Sequence, residues 1–189
     1  STVAQIGYLF FLFPLAAALP VAEVWSSVAW TGGWLQLLSH AFAKAAMFLA
    51  AGLIAEAVGH DRIDGLAGVG RLLPMSAFAF GLGGLSLMGV PPSGGFVAKW
   101  LLLTAAMESG QWWWALVMLA GGLLAGGYVF GVLGRLVGRG EAPAEPHRIV
   151  SSRREAVALA LALLAVGLGF VPLEPSALLQ IGRPGAAAV

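Results

Sequence analysis

The sequence predicts an all-helical, polytopic membrane fold. Three observations predict it: 59% of the 189 residues are hydrophobic, only 10% are charged, and the apolar residues fall in long runs between short polar links. A soluble domain has about 25% charged residues, so the charge here cannot cover a water-facing surface. Low hydrophobicity, the mark of a disordered chain, is absent as well. With no Cys, disulfides, zinc fingers, iron–sulfur ligation and thiol catalysis are excluded. A net charge of +1 gives no electrostatic case for nucleic acid.

Six apolar segments could enter a bilayer, a full crossing taking about 20 residues. The first, about 3–21, contains Pro14, which should kink it; no charged stretch precedes it, so it does not read as a signal peptide. The second, about 34–58, carries His40 and Lys44. The third is about 72–90. The fourth, about 96–107, is short and carries Lys99. The fifth is about 112–137, with Gly121, Gly122, Gly126 and Gly127 at the spacing of close helix packing. The sixth is about 156–171. Trp112, Trp113 and Trp114 read as an interfacial aromatic belt.

The links support this division. Residues 59–71 are polar and hold Asp61, Arg62 and Asp64; residues 138–155 are the longest polar stretch. Between the third and fourth segments lies Gly89-Val90-Pro91-Pro92-Ser93-Gly94-Gly95. Two prolines remove backbone donors and the glycines permit unusual dihedrals. Such backbone is tolerated at membrane depth only inside protein or beside water, so the stretch is a boundary hairpin or a broken helix. The shortness of the following segment favours non-helical backbone dipping into the membrane. If all six segments span, the two polar links lie on opposite sides. The one richer in Arg, 138–155, is then cytoplasmic and the C-terminus outside.

Charges inside such segments are costly, roughly 2.5–3.5 kcal/mol each on insertion scales. Lys44 lies midway along its segment, about 10 residues from either end, too far to snorkel easily. His40 stands four residues earlier on the same helix face, with Ser39 beside it. Two titratable groups within reach of one water read as a proton relay; a structural Lys paired with a neighbouring carboxylate is the bland alternative. Lys99 follows the Pro-Gly break, where exposed carbonyls and water could serve a lysine; snorkelling at a helix start is its alternative. Glu23, Glu56 and Glu108 read as interfacial, and His60 and His147 as loop residues. No metal spacing, phosphate loop, catalytic triad or haem motif is present.

Four stretches in order resemble a known family: Ser1-Thr2-Val3-Ala4-Gln5-Ile6-Gly7-Tyr8, then Ser39-His40-Ala41-Phe42-Ala43-Lys44-Ala45-Ala46-Met47-Phe48-Leu49, then 65–74, then 85–99 from Leu85 to Lys99. They are similar to the antiporter-like membrane subunits of respiratory complex I, membrane-bound hydrogenases and multisubunit Mrp sodium/proton antiporters. The match covers about residues 1–103; the rest is compatible but generic. Family members have about fourteen helices, including two inverted five-helix repeats. The resemblance implies that this chain is the second repeat plus a terminal helix, with Lys44 the central-axis lysine, His40 its neighbour and Lys99 the lysine on the broken helix. Some members carry Glu where Lys99 stands. The first repeat, with its Glu–Lys pair and bridging lysine, is absent from this sequence; a longer polypeptide or a partner chain would supply it.

The resulting expectations are these. Residues 1–137 form a five-helix antiporter-like repeat, 138–155 a cytoplasmic loop, and 156–189 a terminal transmembrane helix and tail. The chain conducts protons or cations through Lys44, His40, Lys99 and Ser39, past a helix break at Pro91, Pro92, Gly94 and Gly95. Two unit charges about 10 Å apart at an effective dielectric near 20 interact by about 1.7 kcal/mol, enough to couple neighbouring lysines. No cofactor and no catalytic centre is expected in the chain itself. Its partners would be other membrane subunits and lipid in a bacterial inner membrane, with iron–sulfur redox subunits in the redox-driven case. The rival readings are an Mrp-type sodium/proton antiporter subunit without redox coupling, and a structural membrane subunit.

Overall fold

The computed structural model describes residues 2–18, 24–138 and 147–171. Among them the regular elements are all helical. α1 (Thr2–Phe10) and α2 (Leu12–Ala17) meet at a bend at Phe11. Pro14 causes the bend: its ring cannot accommodate the carbonyl four residues back, on Phe10, where α1 stops. α3 (Val24–Val58) is a single 35-residue helix. It starts ten residues before the second apolar segment was expected to, because 24–33 contain no proline and continue the helical run. α4 is Pro74–Met88, with Pro in its first turn, and α5 is Gly94–Glu108. α6 is Trp113–Val137 and α7 is Ser152–Gly167, followed by a 3-10 turn at Leu168–Phe170.

α3 is the central post. α4 packs on its C-terminal half, where a Cβ on Gly83 would lie 2.9 Å from the Ala43 carbonyl. α5 packs on its N-terminal half, where a Cβ on Gly32 would lie 3.0 Å from Leu101. Together α4 and α5 run along α3 as one rod, antiparallel to it and interrupted beside Ser39. Each half is 15 residues, about 22 Å long, short of the roughly 30 Å hydrocarbon core; end to end they are long enough. This settles the hairpin alternative in favour of a broken helix. Two apolar cores flank the interruption. One gathers Met47, Ile54, Phe80, Val129 and Ala162 from α3, α4, α6 and α7. The other gathers Tyr8, Leu15, Leu102 and Met118 from α1, α2, α5 and α6.

One expectation is corrected by this arrangement. The two polar links lie at the same end of the molecule, not at opposite ends. Arg135 pairs with Asp64 at 2.6 Å, Arg154 pairs with Glu56 at 2.7 Å, and Arg148 lies 3.5 Å from Glu56. The His147 amide donates to the Ala57 carbonyl at 2.7 Å. Since α4 and α5 run end to end along α3 as one rod, the chain passes along the molecule twice, not three times, between the links. The expected loop 138–155 also ends early, because α7 starts at Ser152. Arg139 and Pro143 lie outside the described residues, as do Glu23 and the tail after Val171.

Much of the exterior is apolar. Phe48, Phe78, Leu123, Leu124 and Phe130 are exposed, and Ser27–Val58 and Trp113–Val137 are long and apolar enough to cross a membrane. Trp112 and Trp113 stay exposed at the start of α6, while Trp114 turns inward onto Phe11, ring centroids 4.5 Å apart.

Candidate ion path at the broken helix

A helix C-terminus leaves carbonyls without intrahelical partners. At the end of α4 the backbone closes part of this deficit itself: Gly89 donates to Leu85 and Ser86, and Val90 to Leu85. Gly89 takes φ +82°, the left-handed conformation that suits glycine at this position. The Leu87 carbonyl is left over, and the Lys99 Nζ donates to it at 2.6 Å. Lys99 is only 6% exposed, and its ammonium also sits 5.7 Å from the centroid of the Tyr8 ring. The negative end of the α4 dipole favours a cation here. Among the described residues Lys99 forms no ion pair; its partner is a backbone oxygen.

Residues 89–93 form the break, with a cis bond between Pro91 and Pro92. Gly94 and Gly95 belong to the first turn of α5 and not to the irregular stretch as expected, because Ser93 caps that helix. The Ser93 Oγ accepts from the Phe96 amide at 3.2 Å and donates to the Val90 carbonyl at 2.7 Å. Both glycines are needed for close approach: the Cα of Gly95 faces the Ser86 carbonyl, and a Cβ on Gly94 would lie 3.0 Å from the Ala165 carbonyl. Where α3 passes the break, the Ser39 and Ser86 hydroxyls are bonded at 3.0 Å, both buried.

His40 is buried beside Ser39, and its Nδ1 has no hydrogen-bond partner among the described residues. Lys44 itself is half-buried, its Nζ 5.3 Å from the centroid of the exposed Phe48 ring. His40 and Lys44 stand four residues apart on one face of α3, and Lys99 is on α5 across the break. Ser39, Lys99, Gly94 and Gly95 meet at the break, with Pro91 and Pro92 on its exposed flank, and His40 and Lys44 continue along α3 from Ser39.

Three further residues were not singled out in the sequence. Gln36 Nε2 donates to Gln5 Oε1 at 2.8 Å, and Gln5 Nε2 donates to the same Leu87 carbonyl at 3.2 Å. Tyr8 supplies the ring under Lys99. Gln36 stands four residues before His40, so Gln36, His40 and Lys44 share one stripe of α3. An uncharged amide at that spacing was the available signal. Beside Lys99, between α5 and α6, lies a cleft of about 770 Å³ walled by Phe96, Trp100, Leu119, Leu123 and Phe130.

Two other ionisable groups make contacts within the fold. The buried Glu155 carboxylate accepts from the Ser76 amide and hydroxyl, both at 3.0 Å, and so satisfies the first turn of α4 from a neighbouring helix. His60 Nδ1 accepts from the Arg62 amide at 3.2 Å, a local turn contact. The described residues contain no cluster of His, Cys, Asp or Glu able to hold a metal.

Comparisons with known proteins identify the family. The profile of the family described as NADH:quinone oxidoreductase/Mrp antiporter, TM, matches residues 1–125. NADH-quinone oxidoreductase subunit N of Desulforudis audaxviator is 34% identical over 133 residues, 70% of this chain and 25% of that one. F(420)H(2) dehydrogenase subunit N of Methanosarcina mazei is 31% identical over 126 residues, 62% of this chain and 24% of that one. Among solved structures, a chain of the Mrp complex from Dietzia sp. DQ12-45-1b superposes with a TM-score of 0.74 at 27% identity, covering 88% of this chain and 38% of that chain. The chain therefore spans about a quarter of the length of these two curated relatives. It is an integral membrane protein and belongs to the NADH:quinone oxidoreductase/Mrp antiporter transmembrane family.

Proposed function

We propose that this chain provides part of a proton path in an antiporter-like membrane subunit of a redox-driven complex, with Lys44, His40 and Lys99 as its proton-carrying groups and Ser39 beside them. The observation that carries the reading is Lys99, buried at a helix break on a backbone carbonyl. A lysine held in an ion pair would face a carboxylate, as Arg154 faces Glu56. A carbonyl holds an ammonium without neutralising it, so Lys99 keeps a charge that neighbouring charges can shift. The unpartnered His40 Nδ1 and Gln36 Oε1 are buried polar atoms of the kind that ordered water serves, and water next to His40 would bridge the two lysines.

In this reading the chain supplies four passes of the second repeat (α1 with α2, α3, α4 with α5, and α6) together with the terminal helix α7, and another segment or chain supplies the rest. Other membrane subunits cover its apolar flanks together with lipid, and iron–sulfur subunits deliver the driving reaction. The end carrying Arg62, Arg71, Arg135, Arg148, Arg153 and Arg154 faces the cytoplasm of a bacterial cell, since arginine-rich short loops stay inside. The sixth segment, α7, begins at that end, so the C-terminus emerges outside.

A second reading, sodium/proton exchange without redox coupling, is favoured by the likeness to a chain of an Mrp complex. One experiment addresses both. The complex is purified from its own membranes and reconstituted in proteoliposomes, and proton movement is followed with a pH-sensitive dye on addition of an electron donor or a sodium gradient. Lys44→Ala and Lys99→Ala should each lower proton movement at least about tenfold, as expected of functional charges inside the membrane. Transport at the wild-type rate in both variants refutes the path. Response to sodium alone selects the antiporter.

A further inference from the structure

One oxygen, the Leu87 carbonyl, receives two buried donors from different helices: Lys99 on α5 at 2.6 Å and Gln5 on α1 at 3.2 Å. Gln5 is only 1% exposed, and its amide is oriented. Gln36 Nε2 occupies the Gln5 Oε1, which turns the Gln5 Nε2 toward Leu87. A carbonyl has two lone pairs, and here both are used. A carbonyl that loses its only partner in a buried site is costly to expose; with Gln5 in place, this one stays bonded when the lysine moves away.

We infer that Gln5 is a positioning residue for Lys99: it holds the Leu87 carbonyl whether or not the ammonium is there, and so lets Lys99 leave and return at low cost. This inference rests on the proposed role of Lys99. The two donors also compete. Each weakens the oxygen as an acceptor for the other, and the partly positive amide hydrogens stand near the ammonium. Removing Gln5 therefore strengthens the remaining bond and favours the charged, seated form of Lys99. Tyr8 on α1 faces the Lys99 ammonium, its ring centroid 5.7 Å away; α3 carries His40 and Lys44, α6 carries Tyr128, and α4 carries no titratable residue.

The test uses the reconstituted complex and Gln5→Met, which keeps the shape and loses the amide. Maximal proton movement should fall about tenfold, and the alkaline limb of the pH–rate profile should move up by about half a pH unit or more, the direction in which a lysine is held protonated more tightly. A residue that only glues α1 to α3 would lower the amount of assembled complex and leave the limb in place. An unmoved limb and an unchanged rate per assembled complex overturn the inference. Should Gln5→Met fail to assemble, Gln5→Glu preserves the size and sets a carboxylate beside the ammonium. It must move the limb upward, and an unmoved limb again overturns the inference. Lys99→Ala run in parallel separates the two levels. Full transport in that variant sinks the functional reading itself, whereas lost transport there with a silent Gln5→Met sinks only the role of Gln5.

Discussion

The molecule has two irregular connections that look alike as turn sequences and do opposite things. Residues 59–73 join α3 to α4, and residues 89–93 join α4 to α5. Both contain positive-φ glycine, at Gly59, Gly68 and Gly89. The first carries Asp61, Arg62, Asp64 and Arg71, ends at the arginine-rich pole and reverses the chain. The second carries no charge at all, stays between two apolar cores, and lets the chain continue in the same direction. Charge decides the difference: a charged link must reach water, whereas an uncharged one can be enclosed if protein satisfies its backbone. Only the inner side of the second connection is covered, by Ser93 and the end of α4, with Pro91 and Pro92 exposed, and that inner side leaves the Leu87 carbonyl to hold Lys99.

If enclosure rests on close approach, the largest effect should come from filling it. Gly95→Ala places a methyl against the Ser86 carbonyl, which is backbone and cannot turn aside. Overpacking of this kind costs about 1–3 kcal/mol. The purified complex should melt lower and lose proton movement, because α5 and Lys99 are pushed off the end of α4. Gly81→Ala in the middle of α4 is the contrasting variant. Its methyl would meet Leu133 at 3.5 Å, an ordinary contact, and Gly→Ala in a helix is favourable by up to about 1 kcal/mol. A rise in melting temperature for Gly81→Ala with a fall for Gly95→Ala supports the comparison; equal shifts in one direction break it.

Much of this was legible in the residues. Low charge and long apolar runs predicted the all-helical membrane class, and Pro91 and Pro92 marked the break, because these residues act locally, whereas Gly94 and Gly95 belong to α5. Lys44, His40 and Lys99 stood out because a charge in an apolar run has few bland explanations. The role of Gln5 was not legible. An amide has no charge to betray it, and its partner is a backbone carbonyl 82 residues away in sequence. The sidedness of the polar links failed for a related reason. Counting crossings treats each apolar run alike, and nothing local to the fourth run says that it prolongs the third. Gly83 against Ala43 and Gly32 against Leu101 say so only once α3 is in place.

A smaller effect should come from the hydroxyl pair at the break. Ser39→Ala removes one partner of the 3.0 Å bond between Ser39 and Ser86. The Ser86 hydroxyl can turn back to a carbonyl of its own helix, so the loss should stay near about 1 kcal/mol. Ser86→Ala should cost a similar amount, and the double variant less than the sum, as expected for two residues sharing one interaction. Strict additivity in melting experiments would mean that the pair is not bonded and that α3 meets the break by packing alone.

The smallest effect belongs to the outer connection. Asp64 and Arg135 approach to 2.6 Å, with side chains 75% and 52% exposed. Exposed pairs contribute about 0–1 kcal/mol and are screened by salt. Asp64→Asn should therefore change stability by less than about 0.5 kcal/mol, and the difference should vanish at high ionic strength. Proton movement should be unchanged, since the pair sits at the arginine-rich end and touches neither lysine. A large, salt-insensitive loss in Asp64→Asn would show that the outer connection is as tightly specified as the inner one. Charge alone would then no longer explain why one connection turns at the surface while the other is enclosed around Lys99.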